Sequence, residues 1–365
     1  MALPSFMKKY MKDNNDASVA AEEKNSGVIR KWLDTGCYAF NALISGSIYK
    51  GFPCGKITVV AGRAAAGKTY YAMQAIEAFQ KEYPEGYVVY YDSESTISND
   101  MLLAHNIDTT RVLIDEVMTV EEVKDKGAKL LAEYEALAPE ERTGLMVVID
   151  SLGRLSTRKE VEDTRKGSEA KDMTKQQALN AMFRVLCVPA GRLDVPLFIT
   201  GNVHTAIGTY GAPDEISGGN AVKYAATTII EFVKKKNYDE KTKTTVGDLI
   251  TCKTYKSRLT KPANKVEVNL NYTTGLDRYH GLVEMAIAAG VWKKAGGRIE
   301  VDGKMMYPVQ VSKAGDKYFT KEVLDKIDAY CQNKFLFGGT LDGAFDTDEY
   351  SEEAEMVPII EEKEA

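Results

Sequence analysis

No run of about 18 apolar residues occurs in this sequence, so no membrane-spanning helix is expected. Histidine is scarce and scattered (His105, His204, His280), which argues against a histidine metal centre. The five cysteines, Cys37, Cys54, Cys187, Cys252 and Cys331, lie far apart and include no CxxC pair. That pattern reads as buried free thiols in a reducing compartment rather than a disulfide framework. The start, "MALPSFMKKYMKDNND", has no apolar secretory segment, so the protein is expected to stay in the cytoplasm where it is made. No internal repeat is present.

What is there is a chain of 365 residues, 44% hydrophobic and 27% charged, enough for one large core and a small second region. Its net charge of −6 hides an asymmetry. From Leu341 to Ala365 ten acids face one base, Lys363, so this tail carries −9 and residues 1–340 carry +3. Such a tail is either solvated disorder or an internal competitor for a polyanion that binds the body.

The patterning divides the chain into an arm (1–33), a core (34–270), a small C-terminal region (271–336) and an acidic, disordered tail (337–365). Within the core, "GKITVVAG", "YVVYYDSES", "RVLID", "GLMVVIDS" and "VPLFIT" are strand-like. They alternate with helical stretches such as "KTYYAMQAIEAFQKEY" and "TVEEVKDKGAKLLAEYEAL". This alternation predicts an α/β fold with a mostly parallel, twisted sheet covered by helices on both faces. "TTIIEFVKKK", "DLITCKTYKS" and "NKVEVNLNY" read as later antiparallel strands.

"GRAAAGKT", Gly62 to Thr69, follows a strand and opens a helix, the context that a G-x-x-x-x-G-K-[ST] phosphate loop requires. Backbone N–H groups of Gly62, Arg63, Ala64, Ala65, Ala66 and Gly67 would turn toward the phosphates of ATP. Lys68 adds a charge there, and the Thr69 hydroxyl ligates Mg²⁺. Asp150, after the apolar "LMVVI", is placed to hold the same metal. Glu94 follows "VVYYDS" and could polarise the attacking water, with Asp92 a close rival. All of these fall at the carboxyl ends of parallel strands, where such sheets bind ligands.

Straight off the strand "VPLFIT" comes "HTAIGTYGAPDEISGGNAVKY", long, polar and punctuated by glycine, with nothing in its middle to fill a core. Together with "YYDSES", "NIDTTRVLI", "VVIDSLGRLSTRKEVED" and "KTYKSRLTKP", this stretch resembles the RecA-family recombinases, most nearly the phage strand-exchange proteins of the UvsX type. The likeness covers roughly residues 34–295.

The resemblance implies a DNA-dependent ATPase that polymerises on single-stranded DNA as a helical homo-oligomer. It would pair that strand with homologous duplex DNA in recombination and repair, in the host cytoplasm if phage-encoded. A single-strand binding protein and a recombination mediator are implied partners, and the arm becomes an oligomerisation element. Two segments would grip DNA, one from about Leu152 to Lys171 and one from Val203 to Ser217. The first offers Arg154, Arg158, Lys159, Arg165, Lys166 and Lys171 to phosphates, interleaved with acids. In the second, Tyr210 would stack on or wedge between bases, and Gly218, Gly219 and Asn220 would present free N–H groups. Lys256 and Arg258 match residues that cross to a neighbouring subunit's γ-phosphate. Asn202 falls where a longer Gln links that phosphate to the second segment. Met101 stands where an aromatic often covers the adenine, so Tyr70 or Tyr71 is considered for that role. Two other classes share the phosphate loop: a hexameric replicative helicase, and a nucleotide-gated annealing protein.

Overall fold

The computed structural model describes residues 3–14, 17–20, 25–167, 174–204, 215–238 and 244–340. The chain falls into two compact units, residues 1–35 with 52–230, and residues 36–51 with 231–365.

The first unit is built on five parallel strands, β1 (Ile57–Gly62), β2 (Tyr87–Asp92), β3 (Val112–Glu116), β4 (Leu145–Asp150) and β5 (Leu197–His204). Their spatial order is β1-β5-β4-β2-β3. All six residues of β1 and of β4 are buried. Strands covered on both faces select unbroken apolar runs, which is why "ITVVAG" and "LMVVID" show no alternation. Four helices matter below: α1 (Lys68–Glu82), α2 (Val120–Ala136), α3 (Arg158–Arg165) and α4 (Lys175–Arg192). A capping box between Thr119 and Glu122 starts α2. Its buried Val120, Val123, Gly127 and Leu131 form one stripe. A Cβ on Gly127 would stand 3.1 Å from Leu186 of α4, so the missing side chain lets the two helices approach closely.

The register brings the strand ends level. Gly62 lies beside Asn202, and Asp92 beside Asp150. β5 runs four residues past the expected end at Thr200. It continues because Ala61 and Gly62 pair with Gly201 and Asn202 on one side. Val203 and His204 then pair antiparallel with Ile216 and Glu215 of the short β6 (Glu215–Ile216). Helix α5 (Gly219–Ala225) follows.

β7 (Thr228–Tyr238) lies next to β1 in the strand order; its first three residues belong to the first unit and the rest to the second. In the strand order β7 is followed by β8 (Thr245–Ser257) and β9 (Lys265–Asn271); β8 and β9 pair antiparallel, with Cys252 opposite Val266. Here burial alternates along β9, where Val266, Val268 and Leu270 point inward, as one covered face demands. Helix Tyr38–Ser45 has seven of its eight residues buried. The Asp328 carboxylate of helix Lys321–Phe335 accepts from Ser47 Oγ at 2.7 Å and the Ile48 amide at 2.8 Å. The compact division at Ile230 differs from the expected boundary at 270: β8 and β9 contact helix Tyr38–Ser45, which in turn packs on helix Lys321–Phe335. A small sheet of Lys293–Ala295, Arg298–Val301 and Lys304–Met306 was not foreseen.

Helix Ser5–Asp13 of the arm buries none of its residues within the chain, and Phe6 and Tyr10 are exposed. All five cysteines are free, four of them buried. No described helix is long and apolar enough to cross a membrane.

Candidate functional site

At the carboxyl edge of the parallel sheet a cleft of about 560 Å³ is lined by residues 63–70 and by Glu94, Asp150, Arg154, Asn202, Val203 and His204. That volume lies within the usual range for small-ligand sites.

Its floor is the turn from β1 into α1. Gly67 sits at φ 94°, a left-handed conformation that glycine adopts without strain. Ala65, at φ 59°, holds the same region at some steric cost, which marks a functional loop. The Lys68 ammonium donates to the carbonyls of Gly62 and Arg63, both at 3.0 Å, and so folds back over the loop. Burial lowers the Lys68 pKa, while Asp150 and Glu94 oppose the shift. An anionic ligand would favour the charged form further.

Asp150 ends β4 and is 5% exposed. Its carboxylate accepts from Thr69 Oγ1 at 2.8 Å, from the Tyr90 hydroxyl at 2.7 Å and from Thr200 Oγ1. Thr69 and Asp150 are therefore already adjacent, as hard-oxygen partners of one small cation should be. Among the described residues, no group of three or more His, Cys, Asp or Glu side chains could hold an ion. A metal at this place would draw its remaining ligands from phosphate oxygens and water, the habit of Mg²⁺. The residues present fit a nucleoside triphosphate with such a cation.

Glu94 and Asp92 part company here. Asp92 is buried and its two oxygens accept from the backbone amides of Glu94, Ser95, Thr96 and Ile97 at 2.8–3.2 Å. It builds the loop after β2. Glu94 lines the cleft, and its Oε1 accepts from Ser151 Oγ at 2.7 Å. The guanidinium of Arg154 stands 3.7 Å from the same oxygen. Of the two candidate bases, Glu94 is the one with access to a ligand.

Of the two tyrosines considered for the adenine, Tyr71 is fully buried, so only Tyr70 reaches the cleft. Its ring centroid lies 4.8 Å from that of His105. His204, given no role in the sequence reading, also lines the cleft and shares a hydrogen bond with Ser217 at 3.1 Å. Tyr90, Thr200 and Ser151 were missed too. The one available signal was polarity inside otherwise apolar strands, as at Thr200 in "VPLFIT".

The first expected DNA segment does not project from its beginning at Leu152. Leu152 and Leu155 are buried, the Ser156 amide donates to the Met118 carbonyl at 2.9 Å, and the Val120 amide donates to the Ser156 carbonyl at 2.9 Å. Apart from Arg154, exposure starts with α3. There Arg158 pairs with Asp125 of α2 at 2.7 Å, while Lys159, Arg165 and Lys166 are exposed. Arg154 is brought to the cleft rather than to that helix. Tyr210, Lys171 and the tail from 341 lie outside the described residues.

Gly218 and Gly219 have φ of 93° and 53°. A Cβ on Gly218 would come within 2.6 Å of Val222 and 2.8 Å of Leu152, so packing as well as backbone conformation demands glycine there. In its satisfied orientation the Gln176 side-chain oxygen accepts from the Ala221 amide at 2.6 Å. That N–H group is thus already engaged within the chain. Asn220 is exposed beside it. Lys256, at the end of β8, and Arg258 belong to the second unit. Burial, and then the Arg258 charge, push the Lys256 amine down to about 8.

The loop from Gly62 to Thr69 at the end of β1, with Asp150 and Glu94 beside it at the ends of neighbouring strands, has the arrangement of a phosphate-loop NTPase site. The RecA N-terminal domain model matches residues 2–277, and the chain belongs to that family. It is 25% identical over 250 residues to the "Recombination and repair protein" of Enterobacteria phage T4, covering 68% of this chain and 62% of that protein. It is 27% identical over 310 residues to "Protein RecA" of Leptospira meyeri, covering 79% and 76%. With "Protein RecA" of Kineococcus radiotolerans the identity is 23% over 349 residues, covering 91% and 95%. Members of the family are DNA-dependent ATPases of recombination and repair that bind ATP, typically with magnesium, and form oligomeric filaments on DNA.

Proposed function

We propose that this chain hydrolyses ATP in response to single-stranded DNA, assembles on that strand as a helical filament, and pairs it with a homologous duplex. The observation that carries this reading is the sharing of one strand between two tasks. β5 contributes Asn202 to the cleft and continues in sequence into the second expected DNA segment, Val203 to Ser217. A change at the phosphates can reach that segment through a single residue, Asn202.

In this reading the loop amides and Lys68 hold the β- and γ-phosphates. Thr69 and Asp150 would hold Mg²⁺, which neutralises developing charge on the phosphate oxygens. Glu94 takes the proton of the attacking water. Lys256 and Arg258 reach the γ-phosphate of an adjacent subunit, and the unburied arm helix with Phe6 and Tyr10 docks on a neighbour. A head-to-tail contact of that kind generates open helices. Lys159, Arg165, Lys166, Tyr210 and the 218–220 turn contact DNA. The acidic tail competes with incoming duplex. A single-strand binding protein and a mediator complete the set of partners, in the host cytoplasm.

The test is hydrolysis measured with and without single-stranded DNA, alongside displacement-loop formation with homologous and heterologous duplex. Stimulated hydrolysis with homology-dependent joints is expected. Closed rings that unwind duplex would replace this reading with a helicase, and annealing without displacement loops would replace it with an annealing protein.

A further inference from the structure

Arg154 sits in a short arc fixed at both ends. Asp150 precedes it at the cation site, and the backbone bonds of Ser156 to Met118 and Val120 follow it. Its neighbours Leu152 and Leu155 are buried, so the backbone cannot drift and the side chain must emerge at the mouth of the cleft. The side chain itself is 68% exposed and free to swing. Its present partner is Glu94 Oε1 at 3.7 Å, the oxygen that also accepts from Ser151 Oγ. Both groups that occupy this oxygen therefore come from residues 151–154, which run on into the basic helix α3.

We infer that Arg154 is a positioning residue that restrains Glu94 when no DNA is bound and releases it when the first DNA segment engages a strand. A carboxylate whose oxygen already receives a hydroxyl and faces a guanidinium is held away from the proton it must accept. Phosphates arriving along Lys159, Arg165 and Lys166 offer Arg154 a competing set of anions. The two states differ in the contact Arg154 makes, which is what coupling between two sites requires. The inference rests on the ATPase reading above and names the link through which DNA acts on it. The restraint is weak by design, because an exposed ion pair in water contributes little.

The experiment is steady-state ATP hydrolysis by the full-length chain, wild type, R154A, R154K and R154A/E94Q, each with and without single-stranded DNA. R154A should raise the DNA-independent kcat by about two- to fivefold, the scale of an exposed pair. KM for ATP should stay unchanged, and the stimulation by DNA should shrink by the same factor. R154K, which keeps a cation, should restore most of the restraint. R154A/E94Q should hydrolyse as slowly as E94Q alone, showing that the effect passes through Glu94. A fall in kcat, or a rise in KM, would make Arg154 a ligand-binding cation and overturn the inference. So would an unchanged DNA-independent rate in a chain whose wild type is stimulated by DNA, with the ATPase reading left standing. A wild type that shows no DNA stimulation removes both.

Discussion

Two aspartates stand side by side at the ends of adjacent strands, Asp92 on β2 and Asp150 on β4, in register and both buried. Each follows a run of apolar residues. Their surroundings divide them. Asp92 accepts from four backbone amides, donors that cannot be withdrawn without unmaking the loop 93–97. Asp150 accepts from three hydroxyls, those of Thr69, Tyr90 and Thr200, which can rotate and turn a lone pair toward a cation instead. One carboxylate is committed to structure, and the other stays available for chemistry. Whether the donors are main-chain amides or rotatable hydroxyls decides which role a buried acid takes.

Substituting both positions puts this contrast under the most strain. Asp150→Asn should lower hydrolysis by roughly 10²–10³-fold, the scale of losing a preorganised charge-stabilising group, with the denaturant midpoint barely moved. If unfolding rather than turnover suffers, the assignment of roles is reversed. Glu94→Gln comes next, with a loss of about 10²-fold in hydrolysis while nucleotide binding and filament formation persist, as removal of a general base predicts. Equilibrium binding and electron microscopy of the same preparation check both halves.

Asp92→Asn should act on stability. Its amide can satisfy only part of the four-amide nest and turns a donor toward the rest. A loss of about 3 kcal/mol is expected, read from chemical denaturation, with residual activity following the folded fraction. An Asp92→Asn chain of native stability with lost turnover would break the comparison.

The smallest effect lies in the second unit. With an amine near 8, the charged fraction of Lys256 falls as pH rises through that value. ATP-induced assembly should weaken by up to about tenfold between pH 7 and 9, since the charged fraction falls from about nine-tenths to about one-tenth over that range. Lys256→Arg, which stays charged across that range, should flatten the profile. Sedimentation of the nucleotide complex at each pH measures it, and an unchanged slope in Lys256→Arg would place the titrating group elsewhere.

The parallel strands of the first unit were legible because two covered faces leave a continuous apolar signature, and "GRAAAGKT" because its spacing is dictated by the phosphates it wraps. The small sheet from 293 to 306 was not, since its short strands are rich in lysine and bounded by glycines, and carry little periodicity. Arg154 was legible as a cation but not as a partner of Glu94. In sequence the two are sixty residues apart. They meet only because β2 and β4 pair in register.

Local rules act over a few residues. By itself the sequence therefore determined the strand–loop–helix of the phosphate site, the acids that end apolar strands, the alternation that sets the sheet and the separation of a basic body from an acidic tail. Which acid holds the loop and which faces the cleft was decided by tertiary structure alone. So was the emergence of Arg154 between two buried leucines. Hydrogen-bond partners and burial depend on neighbours that the chain brings together only after it has folded.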